Sequence, residues 1–185
     1  MNINWLSLSL ARKQLSEARY THLADDGSLT RRVTSVCPER FEVQLIDHKI
    51  IDHKTVRPNS QERSLLNLPD STQALSRQVF LCCDDRPLIF ARTIIGWIEK
   101  NRLLAYRIAA LGKNSLGSIL FRGPLAKKKQ MHLANIPLNH NFFREVNLGG
   151  TSTEDAVWVR RSLYDYEGCD LLVYEAFIAF PVRAF

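Results

Sequence analysis

AVWVRRSLYDYEGCDLLVYEAFIAF, residues 156–180, is the stretch whose reading decides the fold. Two strand-like runs, Ala156–Tyr166 and 170–180, flank Glu167-Gly168, a pair suited to the tight turn of a β-hairpin. The second run is apolar without interruption at Leu171-Leu172-Val173-Tyr174, which predicts a strand at the centre of its sheet. Upstream, Ala74–Cys83 and 88–95 read as another hairpin, joined by Asp84-Asp85-Arg86-Pro87. Leu29–Val36 and 41–46 read as a third pair of strands, connected through Cys37-Pro38-Glu39-Arg40. Residues 126–134 add a strand with one solvated face.

Between these runs, 99–111 reads as a helix stopped by Gly112, and a shorter helical turn covers 115–121. Residues 9–24 place Leu10, Leu15, Ala18 and Leu23 on a short amphipathic helix that ends at Asp25-Asp26-Gly27, so 1–25 is an N-terminal helical segment. The polar stretch 52–72, with Pro58 and Pro69, reads as a crossing loop, and 136–154 as a long loop. Strands, then helices, then strands predict an α+β fold with an antiparallel sheet. At 185 residues the whole chain, 1–185, is expected to form one domain with a substantial core.

Bulk composition narrows the function. Lys and Arg number 25 against 19 Asp and Glu, a formal charge of +6. The basic residues are dispersed, with one tight run at Lys127-Lys128-Lys129, so the charge fits attraction of a small anion better than a nucleic-acid stripe. No apolar run approaches the roughly 20 residues that cross a bilayer. The N-terminus lacks the basic region and cleavage site of a signal peptide, which sets a cytoplasmic protein as the expectation. Cys37, Cys82, Cys83 and Cys169 form no CxxC pair and are expected to be reduced core residues, not zinc ligands. Ile46-Asp47-His48-Lys49 is echoed by Ile51-Asp52-His53-Lys54. A spacing of five on a strand sends the two histidines to opposite faces, so a solvated strand end is expected and no metal site.

Three charged residues stand where charge is expensive. Glu175 sits between two apolar runs, Arg77 opens RQVFLCC, and Arg92 interrupts FARTII. Each needs a partner, a route to solvent or a ligand; the arginines could pair with Glu175, or an anion pocket could lie on the sheet. In Leu111-Gly112-Lys113-Asn114-Ser115-Leu116-Gly117, two glycines flank a turn into a short helix. It reads either as a plain helix connection or as a set of amides able to meet a carboxylate.

These segments resemble the chorismate pyruvate-lyase family. The resemblance runs through Arg77-Gln78-Val79-Phe80-Leu81-Cys82, Ala91-Arg92-Thr93-Ile94-Ile95 and LGKNSLGSILF at 111–121. It continues at Trp158-Val159-Arg160-Arg161-Ser162 and Leu171-Leu172-Val173-Tyr174-Glu175-Ala176-Phe177, with Ser28-Leu29-Thr30-Arg31-Arg32 upstream. It implies an antiparallel sheet of about six strands with helical flaps over a buried pocket. It further implies conversion of chorismate to 4-hydroxybenzoate and pyruvate by a cofactor-independent carbon–oxygen lyase. That reaction is the first committed step toward a quinone such as ubiquinone or plastoquinone.

By the resemblance, Arg77 and Glu175 are the catalytic pair. Arg77 binds a carboxylate, Glu175 binds the ring hydroxyl, and Leu29 and Leu116 add backbone N–H groups. Lys113 or Arg92 is a candidate for the second carboxylate. Chorismate is the expected partner of a monomer that needs no metal, nucleic acid or membrane insertion. The chain departs from the family at Gly96, where a proline usually closes the RTxxP stretch, in the long 136–154 loop and in its N-terminal strand region. Two alternatives stand beside this reading. One is a non-catalytic small-molecule-binding module of the same fold, as in bacterial transcription regulators, although the segment before Leu29 is too short for their winged-helix domain. The other is a lyase that forms a different isomer such as 3-hydroxybenzoate.

Overall fold

A computed structural model of the chain describes residues 3–37, 39–46, 55–121, 126–144, 146 and 155–179. The C-terminal hairpin forms where the sequence predicts it. The strand Ala156–Tyr166 turns at Glu167 (φ 51°) and Gly168 (φ 82°) into Cys169–Phe177. Two successive residues at positive φ match the twist of the flanking strands. Asp84 (φ 51°) and Asp85 (φ 62°) repeat the device between Ala74–Cys83 and Arg86–Gly96.

In chain order the strands are β1 (Leu6–Ser7), β2 (Phe41–Leu45), β3 (Thr55–Val56), β4 (Ala74–Cys83), β5 (Arg86–Gly96), β6 (Ala126–Pro137), β7 (Ala156–Tyr166) and β8 (Cys169–Phe177). The helices are α1 (Leu8–Gln14), α2 (Glu17–Leu23), α3 (Leu29–Val36), α4 (Ser60–Leu65), α5 (Arg102–Ala109) and α6 (Gly117–Leu120). One antiparallel sheet gathers the strands in the order β1-β6-β7-β8-β5-β4-β2, and β3 pairs with the part of β4 that β2 leaves uncovered. The uninterrupted apolar run of β8 is therefore central, as its composition requires. Of the eight strands, six have five residues or more and carry the architecture.

Alternation divides the side chains between two faces. One face sets Phe90, Ile94, Leu172, Tyr174, Val157 and Val159 against Leu66, Leu68, Phe143 and Val146. On the other, Val79, Leu81 and Ile89 lie under Leu29 and Val33 of α3. There Leu75, Ile95 and Leu171 also lie under Leu104, Ala105 and Ile108 of α5. Burying each such side chain contributes about 1.5–3 kcal/mol. The helix-covered face keeps an opening between α3 and the α5–α6 connection, and Arg77 and Glu175 fall there.

Several expectations are corrected. Leu29–Val36 is a helix, not a strand. Leu29, Val33 and Val36 share one face at helical spacing, and Ser28 starts the helix by accepting the Arg31 N–H at 3.4 Å. The β-branched residues that favour a strand yield to this packing, and the Thr34 hydroxyl is satisfied by donating to the Thr30 carbonyl. The helix expected over 9–24 is interrupted at Leu15-Ser16, where Ser16 accepts the Arg19 N–H and begins α2 afresh. The supposed crossing loop holds β3 and α4, the latter opened by a reciprocal Asn59–Glu62 capping box. Cys37 and Cys83 are not reduced core thiols: they form a disulfide that ties the end of α3 to the end of β4, while Cys82 and Cys169 are free. Asp47, His48, Asp52, His53 and, of the 136–154 loop, residues 145 and 147–154 lie outside the described residues.

Two expectations about stability follow from this packing. A methyl group on Gly96 would collide with both terminal carbons of Leu68. Gly96→Ala is expected to cost about 1–3 kcal/mol, read as a lower urea midpoint at unchanged slope; an unaltered midpoint would mean that Leu68 moves aside freely. The second concerns His22 at the end of α2, whose Nδ1 lies 2.7 Å from a guanidinium nitrogen of Arg32. Burial, followed by the charges of Arg32 and Arg160, lowers its pKa from 6.5 to about 4. Between those values the unfolded chain binds the extra proton, so stability falls as the pH drops through that window. Unfolding free energy should decline from pH 7 to about pH 4.5 in the wild type and less steeply in His22→Gln; identical profiles would remove His22 as the cause.

Candidate active site

The opening on the helix-covered face is floored by β4, β5 and β8. Arg77 of β4 stands opposite Thr93 of β5, and Ala91 of β5 stands opposite Glu175 of β8. Arg77 is 8% exposed, and one terminal nitrogen donates to the carbonyls of Gly112 (3.1 Å) and Asn114 (2.8 Å). Gly112, at φ +52°, makes the turn that brings both carbonyls to the same guanidinium. Its Nε is buried with no hydrogen-bond partner among the described residues, and no carboxylate there pairs with it. Burial pulls the Arg77 pKa down to about 10, so the group remains a cation at neutral pH. A buried positive charge held only by carbonyl dipoles lacks a counter-ion.

Glu175 has a different setting. Arg160, directly opposite on β7, donates from Nε to Glu175 Oε2 at 2.6 Å. Its Nη1 donates to the carbonyls of Asp25 (2.5 Å) and Leu23 (3.4 Å). Arg160 is 2% exposed. Burial alone would lower its pKa, but the charge of Glu175 and the hydrogen bond to it outweigh that and raise it. The cavity thus has, among the described residues, a cation without a counter-ion on one strand and a carboxylate with its own cation on another.

Two flaps close over this floor. One is the α2–α3 connection, which brings Gly27, Ser28 and Leu29 to the cavity; the other is α6 with the turn before it, which brings Ser115 and Leu116 and, from the helix's C-terminal end, Phe121. They meet where Ser28 Oγ would lie 3.2 Å from a methyl group on Gly117, which explains a glycine at that position. Leu29, Arg77, Leu116 and Glu175, the four residues singled out in the sequence, all line the cavity. With its open mouth included it spans about 550 Å³. Val79, Leu81, Val173 and Leu120 supply apolar wall. Tyr164 also lines it. Burial, with the nearby charge of Glu175, raises its pKa and keeps the phenol neutral.

Not every charged residue singled out in the sequence belongs here. Arg92 leaves the sheet by the opposite face, where it lies 3.4 Å from Glu62 Oε1 and from Ser76 Oγ. It can neither pair with Glu175 nor meet a second carboxylate in the cavity. Lys113 is exposed and does not line the cavity. Conversely, Arg160 went unassigned in the sequence, although a signal was present: of two adjacent arginines on a strand, one must face the same way as Glu175. Among the described residues no group of three or more His, Cys, Asp or Glu side chains is arranged to hold a metal ion.

Residues 2–183 match the family described as chorismate lyase. A "Probable chorismate pyruvate-lyase" of Nitrosospira multiformis is 29% identical over 157 residues, covering 84% of this chain and 83% of its own length. One of the same description from Methylococcus capsulatus is 33% identical over 152 residues, covering 82% and 89%. The effector domain of PhnF from Mycobacterium smegmatis is similar in architecture, with a TM-score of 0.59 at 13% identity over 82% of this chain and 88% of that domain. At such identity that likeness speaks for the α+β fold alone. The family match, by contrast, runs through both flaps, the Arg77 strand and the Glu175 strand, and so the chain belongs to the chorismate lyase family.

Proposed function

We propose that this chain eliminates the enolpyruvyl group of chorismate, yielding 4-hydroxybenzoate and pyruvate without metal or cofactor. The observation that carries the reading is the buried Arg77 guanidinium, which has no carboxylate partner among the described residues and faces the same cavity as Glu175. Such an arrangement suits a ring with a carboxylate at one end and a hydroxyl at the other. The planar guanidinium receives the ring carboxylate, and Glu175 accepts a hydrogen bond from the C4 hydroxyl. The amides of Leu29 and Leu116, one on each flap, complete the contacts. Leu29 is the first residue of α3, where an N–H has no intrahelical acceptor.

The chemistry asks little of the protein beyond placement. The C3–O bond breaks with its electron pair going to the enolpyruvyl oxygen. The C4–H pair becomes ring π density, and the released proton ends on the pyruvate methyl group. Aromatisation drives the step, so orientation and electrostatic support of the departing oxygen suffice. Glu175, held by Arg160, is placed at the C4 substituents, where it fixes the ring and can assist the proton. We assign the product to the first committed step toward a quinone, made by a monomer in the cytoplasm. Among the described residues no helix is long and apolar enough to cross a membrane. A reducing compartment would hold Cys37 and Cys83 as thiols, so activity is to be measured with and without dithiothreitol.

Purified protein incubated with chorismate and EDTA is expected to release 4-hydroxybenzoate and pyruvate in equal amounts, identified by chromatography. Arg77→Met and Glu175→Gln should each lower kcat/KM by a factor of roughly 30 to 800, about 2–4 kcal/mol of oriented polar contact. Absence of product above the uncatalysed rate would refute the lyase reading. Another hydroxybenzoate isomer would refute the product, and near-normal turnover in both variants would move the site elsewhere.

A further inference from the structure

Arg160 is the largest fully buried side chain among the described residues, and its three hydrogen bonds diverge. Nε holds Glu175, while Nη1 reaches the carbonyls of Asp25 and Leu23. Those carbonyls lie at the end of α2 and in the connection that carries Gly27, Ser28 and Leu29 over the cavity. Other residues grip the same connection from outside. Arg32 of α3 donates to the His22 carbonyl at 2.9 Å and lies 3.5 Å from Asp25 Oδ1, and Lys128 of β6 pairs with Asp26. Arg160 bonds both that flap and Glu175, a residue lining the cavity floor.

We propose that Arg160 is a positioning residue that couples ligand contact at Glu175 to closure of the 24–30 flap. The inference rests on reading this cavity as the ligand site. A guanidinium is rigid and planar, so the direction of its Nε bond fixes the direction of Nη1. A ligand hydroxyl that steadies the Glu175 carboxylate thereby steadies Arg160 and, through it, the carbonyls of the flap. Opening the flap works in reverse: it strips Nη1 of its acceptors at a buried position, an unfavourable change for a cation that is 2% exposed. Flap opening is therefore costly while the pair is intact, and product leaves slowly. Lysine would keep the charge beside Glu175 but offers no rigid fork to reach the flap at the same time.

Three variants separate these roles: Arg160→Lys, Arg160→Met, and the double variant Arg160→Met/Glu175→Gln, which leaves no unpaired carboxylate buried. In ligand-free protein, hydrogen exchange of residues 24–31 should be roughly tenfold faster in all three, with the β4–β5 hairpin within about twofold of wild type. Glu175→Gln alone should stay near wild type in 24–31, because Arg160 still holds the flap carbonyls. With chorismate, Arg160→Lys should raise KM and the product dissociation rate by a factor roughly fivefold larger than its loss in kcat, and should recover part of the kcat lost in Arg160→Met. Wild-type exchange of 24–31 in Arg160→Lys and in the double variant would overturn the coupling, whatever the substrate is. Faster exchange together with no turnover of chorismate would keep the coupling and overturn the assigned reaction instead.

Discussion

The ion pair between Arg160 and Glu175 exists because β7 and β8 are held in one register. Arg160 faces Glu175 across the strand pair, and Arg161 faces Tyr174. Since successive side chains leave a strand by opposite faces, a slip of one residue would carry Arg160 away from its carboxylate and into the apolar far side. Two buried charges are costly to desolvate unless they meet in good geometry. The pair therefore rewards a single register, which the turn at Glu167-Gly168 also selects. Flap, floor and cavity all share in that choice, because Arg160 joins the flap carbonyls of Leu23 and Asp25 to the Glu175 carboxylate.

The same alternation gives the sheet two separate sets of charges. On the cavity face stand Arg77, Arg160 and Glu175; on the far face stand Arg92 and Arg161, with Glu62 brought in by α4. Glu62 receives Arg92 at 3.4 Å and the Tyr174 hydroxyl at 3.2 Å, while the Arg161 guanidinium lies 4.3 Å over the Trp5 ring. Each set holds two arginines and one glutamate. What differs is the fate of the second arginine. On the far face the Trp5 ring covers it, the Tyr174 oxygen shares a hydrogen bond with it and the charge of Glu62 lies nearby. On the cavity face it meets open space, and there an anion is wanted.

Much of this was legible in the sequence, for physical reasons that can be named. Hairpins with two-residue turns and uninterrupted apolar strands declare themselves locally, and so did β4, β5, β7 and β8. The LGKNSLG stretch announced a turn because Gly112 has to adopt positive φ. Leu29–Val36 did not declare itself, since Val33, Thr34 and Val36 score as strand formers and the decisive feature was Ser28 acting as an N-cap beneath a tertiary contact. Arg92 was misplaced and Arg160 left without a role for a shared cause. Which face a charge takes depends on parity along the strand, and parity is only as good as the assumed pairing partner. The Cys37–Cys83 bridge was hidden because it joins a helix end to a strand end 46 residues apart, a proximity no local pattern encodes.

The way Arg77 is held explains why the site can be selective for an anion. Had a carboxylate from the protein paired with it, the guanidinium would be neutralised, and a ligand would have to displace that partner. Two backbone carbonyls from the α5–α6 connection orient it instead, using one terminal nitrogen and leaving Nε unengaged among the described residues. Carbonyl dipoles partly offset the buried charge without cancelling it. The cost of desolvating the cation is already met on folding, by packing elsewhere in the sheet, so an entering carboxylate finds a preorganised donor in a low-dielectric setting. Glu175 is spared the converse problem because Arg160 balances it permanently, which lets the cavity carry a carboxylate without repelling an anionic ligand as strongly as an unpaired one would. The two arginines thus do opposite things with the same charge: one is saturated and fixes geometry, the other is left incomplete and, on the proposed reading, is the group that receives the ligand's carboxylate.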